Sequence, residues 1–546
     1  MHLFLAFVVA LSITAALIPL LARWASILGL TDRPGPRKVH AMPVPRVGGI
    51  AMAAGVFAPA FLTVPMSPAL RGLMVGLLVL LVFGVWDDRV SLGYRSKFIG
   101  QILAAGICIF VGEVRLELFT GGGESALPGV IWSAVTFVFL IGVTNAMNLS
   151  DGLDGLAGGM GLLCACALAL LGAASDNLLV TAVALIEAGA ILGFLRFNTH
   201  PARVFMGDSG SQMLGFTIGV LAVLAIQSET SAYSSALPVL LVGVPVLDTL
   251  AVMFQRIREG RSPFSPDRNH LHHKLLTLGF AHAEAVSLLY VVQVALFLLA
   301  YFLRFESDAL IVSVFVLFAV SVLASIQWAL RSGWRAHNSV RRSGMLAHAR
   351  RTIASLPSTQ LPTLALRIMS LSLVAYATTV IVVSDRVGGD VGLLCLMILL
   401  VLIVANLRGR HSVKWLERVV LYVGVVLIVY LDQTAASKPI LLSGLSWTLL
   451  AIAGAAALVR FWLSPARRFE VTSLDLLVVF IALVMPNLPG LVRLPADLPA
   501  GIAKAVILLY VVEMLIAADI KRPVPRALFA LMLAAIAMRA LLAPSA

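Results

Sequence analysis

Charge is scarce in this sequence. Only 12% of the 546 residues are Asp, Glu, Lys or Arg, while 60% are hydrophobic, and the mean hydropathy is +1.00. A soluble domain has about a quarter of its residues charged and about half apolar, so a water-soluble globule is excluded. Acids are the rarer sign, 27 against 40 Lys and Arg, for a net charge of +13. The basic residues lie in short loops and form no long patch, which fits topology control at an anionic leaflet and not nucleic-acid binding. Cysteine is nearly absent. Cys108, Cys164, Cys166 and Cys395 all fall in apolar runs, which excludes a disulfide framework and a zinc ribbon and leaves small core residues. There is no HExxH pair, no twelve-residue calcium loop and no βαβ unit around the glycines. Internal repeats and low-complexity tracts are lacking too.

What is present is a succession of apolar runs of spanning length, each needing roughly 20 residues. They lie near 2–22, 48–64, 70–86, 98–112, 130–147, 156–174, 178–195, 212–227, 236–254, 284–303 and 309–330. A second set lies near 364–383, 391–406, 418–431, 440–460, 471–486, 501–519 and 526–543. The expectation is an all-α polytopic membrane protein with about eleven spans in a first bundle and about seven in a second. The N-terminal run has no charged leader and reads as a retained first span. A basic, Ser/Pro-punctuated stretch at 331–362 separates the two bundles, giving regions 1–330, 331–362 and 363–546. Loops after odd-numbered spans carry most of the Lys and Arg, which places them in the cytoplasm. The loop after the fifth span is the exception and carries only acids.

The scarce acids are not scattered. The acids of Asp87-Asp88, of the stretch Asn145 to Asp154 and of Asp208, and the histidines of the stretch Asn269 to His273, all fall at span ends on that same side. Charged groups at membrane depth are costly and mark function. Adjacent carboxylates such as Asp87-Asp88 want a counter-charge, and magnesium takes one or two carboxylates plus waters and phosphates; the bland reading is a solvated helix end beside Arg89. In NAMNLSDGLDGLAGG, Asn145, Asn148 and Asp151 have helix-compatible spacing, Asp151 and Asp154 repeat at i,i+3, and the glycines allow close backbone approach. These amides and carboxylates can pair with a sugar or a nucleobase. Asp208, between Gly207 and Ser209-Gly210, reads either as an N-cap or as a metal ligand at a helix start. Asp248 is an acid inside an apolar run. Arg268, His270, His272 and His273 form a dense basic cluster suited to diphosphate oxygens. In DRPGPRKVHAMPVPRVGG four prolines forbid a helix, so Arg33, Arg37, Lys38, His40 and Arg46 read as an ordered phosphate cradle, or as plain positive-inside anchoring. In the second bundle Asp475 is the main acid.

Taken together and in order, DRPGPRKVH, PRVGG, VWDD, NAMNLSDGLDGLAGG, FMGDSGS and SPDRNHLHH resemble the polyprenyl-phosphate N-acetylhexosamine-1-phosphate transferases, the WecA, TagO and MraY group, over about residues 1–330. The histidine loop and the RKVH segment look more like the WecA/TagO branch. The resemblance implies transfer of a sugar-1-phosphate from a UDP-N-acetylaminosugar, by default UDP-GlcNAc, to undecaprenyl phosphate with release of UMP, early in cell-surface polysaccharide synthesis such as O-antigen. It implies magnesium, with manganese as a substitute. It implies that Asp208 is the main metal ligand, that Asp87 is a metal partner or base, and that Asp88 supports both. Asn145, Asn148, Asp151 and Asp154 would hold the uridine part and nearby diphosphate. Arg268, His270, His272 and His273 would contact diphosphate or sugar, with Lys38 and His40 near the phosphates. The expected location is the bacterial inner membrane, with the site facing the cytoplasm and bilayer lipids as surroundings. The resemblance does not reach 331–546, an extension that could bind an assembly partner, gate lipid entry or stabilise a homodimer. The competing classes are a lipid-linked-sugar transporter and a silent assembly scaffold. The acids sit at one interface and no repeat is visible, which favours a one-sided enzyme.

Overall fold

A computed structural model describes residues 2–32, 43–118, 128–227, 232–262, 269–336, 361–384, 387–407, 424–433 apart from 426, 440–463, parts of 501–515, and 524–542. Lys38, His40, Arg33, Arg37, Arg268 and Asp475 lie outside the described residues. The chain divides into two units, the first ending at Asn338 and the second beginning at Ser339.

The described residues of the first unit are mainly helical: α1 (His2–Leu28), α2 (Gly48–Thr63), α3 (Pro68–Val90), α4 (Tyr94–Phe110), α5 (Gly129–Ser150), α6 (Leu156–Ala174), α7 (Leu178–Asn198), α8 (Gly207–Ile226), the short α9 (Leu237–Leu241), α10 (Gly243–Arg258), the short α11 (Leu271–Thr277), α12 (His282–Leu303) and α13 (Asp308–Arg331). Among the described residues of the whole chain, ten helices are long and apolar enough to cross a membrane. The chain is therefore a multi-pass membrane protein. The expected span positions in this unit coincide with helices.

Local chemistry sets the ends. Ser67 caps α3 by accepting from Leu70 N at 3.2 Å, with Pro68 at the first helical position where no N–H is needed. Asn177 caps α7 by accepting from Val180 N at 3.1 Å. Helices that are apolar all round bury all round, and α8 is the extreme case, with 94% of its most apolar stretch buried against 17% for α13. The helix that begins with Asp208 is thus the axis of the unit. Gly84 on α3 makes this possible: a side chain there would run into the backbone of Ser209, so α3 and α8 meet backbone to backbone.

The run at 236–254 differs from expectation. It is broken at Val242 into α9 and α10. The cause is Pro245, which has no N–H to offer Leu241 and whose ring crowds that carbonyl. The freed groups find other partners. Leu241 O accepts from Gln293 Nε2 at 2.8 Å and from Cys164 Sγ at 3.1 Å, and Val244 N donates to Gln293 Oε1 at 3.1 Å. An interrupted helix at membrane depth requires such substitutes.

The proline-rich loop is ordered at its two ends by an antiparallel pair, β1 (Thr31–Asp32) and β2 (Val44–Pro45), with Asp32 opposite Val44. Arg46, expected in a phosphate cradle, instead pairs with Asp32. The loop base is also stitched to the start of α8, through Phe205 N to Pro45 O at 2.8 Å and Gly49 N to Met206 O at 2.9 Å.

In the second unit the described helices are Leu361–Val383, Gly389–Leu407, Ile440–Leu463 and Val524–Leu542. Met369, Ala453, Val511 and Leu515 lie in one buried cluster. The acid that stands out there is Asp432. It is fully buried and pairs with Lys504 at 2.5 Å.

Candidate active site

Four helix ends bring the scarce polar groups together. Asp87 and Asp88 lie in the last turn of α3, Lys97 in the first turn of α4, Asn145 and Asn148 near the end of α5, and Asp208 in the first turn of α8. Lys97 Nζ lies 2.6 Å from Asp87 Oδ2 and also pairs with Asp208 Oδ2. The other oxygen of Asp208 accepts from Asn148 Nδ2 at 2.8 Å, and the same amide reaches Ser211 Oγ at 2.7 Å. Asp87 Oδ1 accepts from Leu92 N at 2.5 Å. One ammonium thus holds two carboxylates from different helices, and an amide fixes the rotamer of one of them.

Asp88 points elsewhere. Its oxygens accept from Asp208 N at 2.8 Å, Ser209 N at 3.1 Å and Ser209 Oγ at 2.8 Å. It therefore closes the start of α8 from outside that helix. The N-cap position itself, Met206, makes no side-chain cap bond. This settles the alternatives for Asp208 in one respect: Asp208 is the residue whose N–H is capped, and its own carboxylate is left for Lys97 and Asn148.

Beneath this centre, Asn145 donates to Gln101 Oε1 at 2.7 Å, and Gln101 donates to Gln212 Oε1 at 3.0 Å. Asn145 is thus tied into an amide ladder that braces α4, α5 and α8. The α5–α6 turn carries Asp151 and Asp154. Burial, and then the negative charge of Asp208, push the Asp151 carboxyl up to about 7. Asp154 Oδ2 contacts His200 Nδ1 at 2.7 Å and accepts from Ala202 N at 3.0 Å.

The histidine cluster follows the broken helix. Asp248, expected to be an expensive intramembrane acid, is buried and satisfied at both oxygens, by His270 Nδ1 at 2.8 Å and Leu271 N at 2.7 Å. His270 is thereby anchored to α10. His272 stacks on it with ring centroids 5.7 Å apart, and His273 lies 4.2 Å further along. Burial, and then the neighbouring His273, hold the His272 imidazole down at about 3. The His272 ring occupies the space where Gly152 would carry a side chain, so the acidic turn and the histidine cluster are packed together.

The sequence reading missed Lys97 as a site residue, seeing only a basic loop position. It also missed Gln101 and Gln212, and His200 and His282. Polar side chains one to three turns inside apolar runs were the available signal for Gln101 and Gln212.

Residues 70–226 match the family described as Glycosyl transferase family 4, a stretch that contains Asp87, Asp88, Lys97, Asn148, Asp154 and Asp208. The chain is 31% identical over 324 residues, 59% of this chain and 90% of the relative, to the "Probable undecaprenyl-phosphate N-acetylglucosaminyl 1-phosphate transferase" of Bacillus subtilis (strain 168). The chain belongs to glycosyl transferase family 4. Within the family it is also 38% identical over 315 residues, 51% of this chain and 77% of the relative, to the decaprenyl-phosphate N-acetylglucosaminephosphotransferase of Mycolicibacterium smegmatis. It is 30% identical over 324 residues, 58% of this chain and 88% of the relative, to the undecaprenyl-phosphate alpha-N-acetylglucosaminyl 1-phosphate transferase of Yersinia pestis. In each of these alignments a large part of the chain has no counterpart.

Proposed function

We propose that this protein transfers N-acetylglucosamine-1-phosphate from UDP-GlcNAc to a polyprenyl phosphate, undecaprenyl phosphate in the first instance, and releases UMP. The observation that carries the reading is the Asp87–Lys97–Asp208 arrangement at the ends of three spans, in a family whose named members act on polyprenyl phosphates and N-acetylglucosamine phosphate. An oxygen of the acceptor phosphate forms a bond to the phosphorus that carries the sugar. The diphosphate P–O bond breaks, and UMP takes the electron pair. Phosphoryl transfer of this kind needs positioning and charge neutralisation more than covalent help. A phosphate is largely ionised at neutral pH, so the attack needs little help from a base.

Asp208 and Asp87 would hold a magnesium ion, or manganese in its place. They fit such an ion because one oxygen of each already converges on a single cation, the Lys97 ammonium, and magnesium takes one or two hard carboxylates with waters and phosphates. When bound, the ion would neutralise the diphosphate and stabilise the departing UMP. Asp88 is committed to the backbone of α8 and would act by positioning Asp208. Asn148 would hold the Asp208 rotamer. Lys97 would offer its charge to phosphate oxygens once a metal relieves it of the carboxylates. The protonated form of Asp151, favoured by its burial, would donate to a nucleobase carbonyl, and Asp154 would complete the uridine subsite. His272 and His273, with Lys38, His40 and Arg268, would contact diphosphate or sugar. The site would face the cytoplasm of a bacterial inner membrane, where UDP-sugars are available. A role in O-antigen or a related glycan fits the same product.

The test is UMP release by purified protein supplied with UDP-GlcNAc, undecaprenyl phosphate and magnesium, beside Asp208→Asn. Magnesium-dependent turnover that the folded variant lacks supports the reading. Absence of turnover across a panel of UDP-aminosugars, with folded protein and lipid present, overturns it and favours transport or scaffolding.

A further inference from the structure

A second cluster of ligand-type side chains lies apart from the Asp87–Asp208 centre. Asp154 comes from the α5–α6 turn, His200 from the loop after α7, and His282 from the start of α12. One donor atom from each lies within 4.8 Å of the others. Among the described residues this is the one group of three or more His, Cys, Asp or Glu side chains so placed. The rings of His200 and His282 stack at 4.1 Å between centroids and 19° between planes. His200 Nδ1 and Asp154 Oδ2 are 2.7 Å apart, and Ala202 N holds the same carboxylate oxygen. Nδ1 of His282 is buried and has no hydrogen-bond partner among the described residues. A buried ring nitrogen without a partner calls for an explanation, and a lone pair held ready for a cation is one.

We propose that Asp154, His200 and His282 form a site for a borderline dication of the zinc class, and that its occupation inhibits the enzyme. Two imidazoles and one carboxylate are a common three-residue zinc set, with a fourth position left to water, and the ligand atoms around a tetrahedral ion stand about 3.3 Å apart. As the ion enters, His200 takes the tautomer with its proton on Nε2, which frees Nδ1 and the Asp154 oxygen for the ion, and small side-chain shifts bring the donors to that spacing. The nitrogen donors discriminate against magnesium, which prefers oxygen. The ion is therefore not the one that serves the catalytic carboxylates. The inhibitory part rests on the proposed role of Asp154 in the uridine subsite: a carboxylate bound to metal cannot also receive a nucleobase.

Cobalt(II) provides a zinc surrogate with a visible spectrum, so binding can be read without turnover. Full-length purified protein is titrated with cobalt(II), and zinc is then used to displace it, in parallel with His282→Ala, His282→Gln, His200→Ala and His273→Ala. Size-exclusion profile and thermal unfolding identify any variant that fails to fold. The expected result is one equivalent bound with tetrahedral absorption, weakened at least about tenfold in the folded His282 and His200 variants and retained in His273→Ala. A parent that binds no cobalt, or His282 and His200 variants that bind as the parent does, overturns the site. Loss of the spectrum in His273→Ala alone assigns the metal to the histidine cluster and also overturns it. Zinc inhibition of UMP release that His282→Ala relieves supports the inhibitory role. Binding without inhibition removes that role and leaves the site standing, and an inactive parent that still binds cobalt separates this inference from the proposed activity.

Discussion

The carboxylate of Asp88 caps the helix that Asp208 begins, accepting from Asp208 N at 2.8 Å and Ser209 N at 3.1 Å. Its neighbour Asp87 turns to Lys97, 2.6 Å away. Consecutive helical residues project about 100° apart, so two adjacent acids at one helix end serve two different elements. Their substitutions should therefore have different signatures. Asp88→Asn loses charge-assisted bonds to buried backbone donors and should lower both activity and stability, the latter by about 1–2 kcal/mol. Asp87→Asn should lower activity with little effect on unfolding. Thermal melts and UMP release on the two variants check this, and equal stability losses would contradict it.

Lys97 joins Asp87 and Asp208 across 111 positions of sequence in the second pairing. Lys97→Met leaves two carboxylates facing each other without their cation and removes a charge from the phosphate region. Turnover should fall by about a hundredfold or more, and the magnesium concentration for half-maximal rate should change. A variant with unaltered kinetics would remove Lys97 from the site.

Asp151 should give stability a pH dependence of predictable sign. Its carboxyl rises from 3.8 to about 7 on folding, so the folded state holds the proton more tightly than the unfolded one. Stability from this group is full below its unfolded value and is lost as pH rises toward and through about 7. His272, lowered from 6.5 to about 3, acts on the other side: its contribution is present above 6.5 and is lost as pH falls. Asp151→Asn should therefore gain stability relative to the parent between pH 5 and 8, and His272→Gln should gain it between pH 7 and 5. Melting temperatures across that range, without nucleotide, read both slopes.

Gln293 answers the break that Pro245 makes, with one bond to Leu241 O at 2.8 Å and one to Val244 N at 3.1 Å. Gln293→Leu keeps the volume and removes both bonds. It should destabilise the protein by about 1–3 kcal/mol and loosen α10, which carries Asp248 and through it His270. Thermal unfolding in detergent measures the first effect, and a raised KM for the UDP-sugar with a smaller change in kcat reports the second.

The membrane class, the helices of the first unit and most of the polar residues that gather at the candidate site were legible in the sequence. Spanning helices are written in long apolar runs, and scarce acids at their ends stand out against that background because they are costly there. Other features depended on distance. Asp32 claims Arg46, Asp248 claims His270, and Asp432 claims Lys504. None of these pairings shows in local periodicity, because each partner lies on another element or across a loop. The halves of 236–254 are joined by Gln293, which belongs to another helix.

Composition and run length by themselves determined that the chain spans a membrane and where its polar residues enter it, since partition between water and lipid depends on segments of about 20 residues. Only the tertiary structure decided what each polar residue does there. In a low-dielectric interior each charge must find a partner, and the packing of α3, α4, α5 and α8 brings Lys97 and Asp88 to Asp208 from 111 and 120 positions away. That packing sent Asp87 to a lysine and Asp88 to a helix start, while the loops after α5 and α7 joined Asp154 to His200.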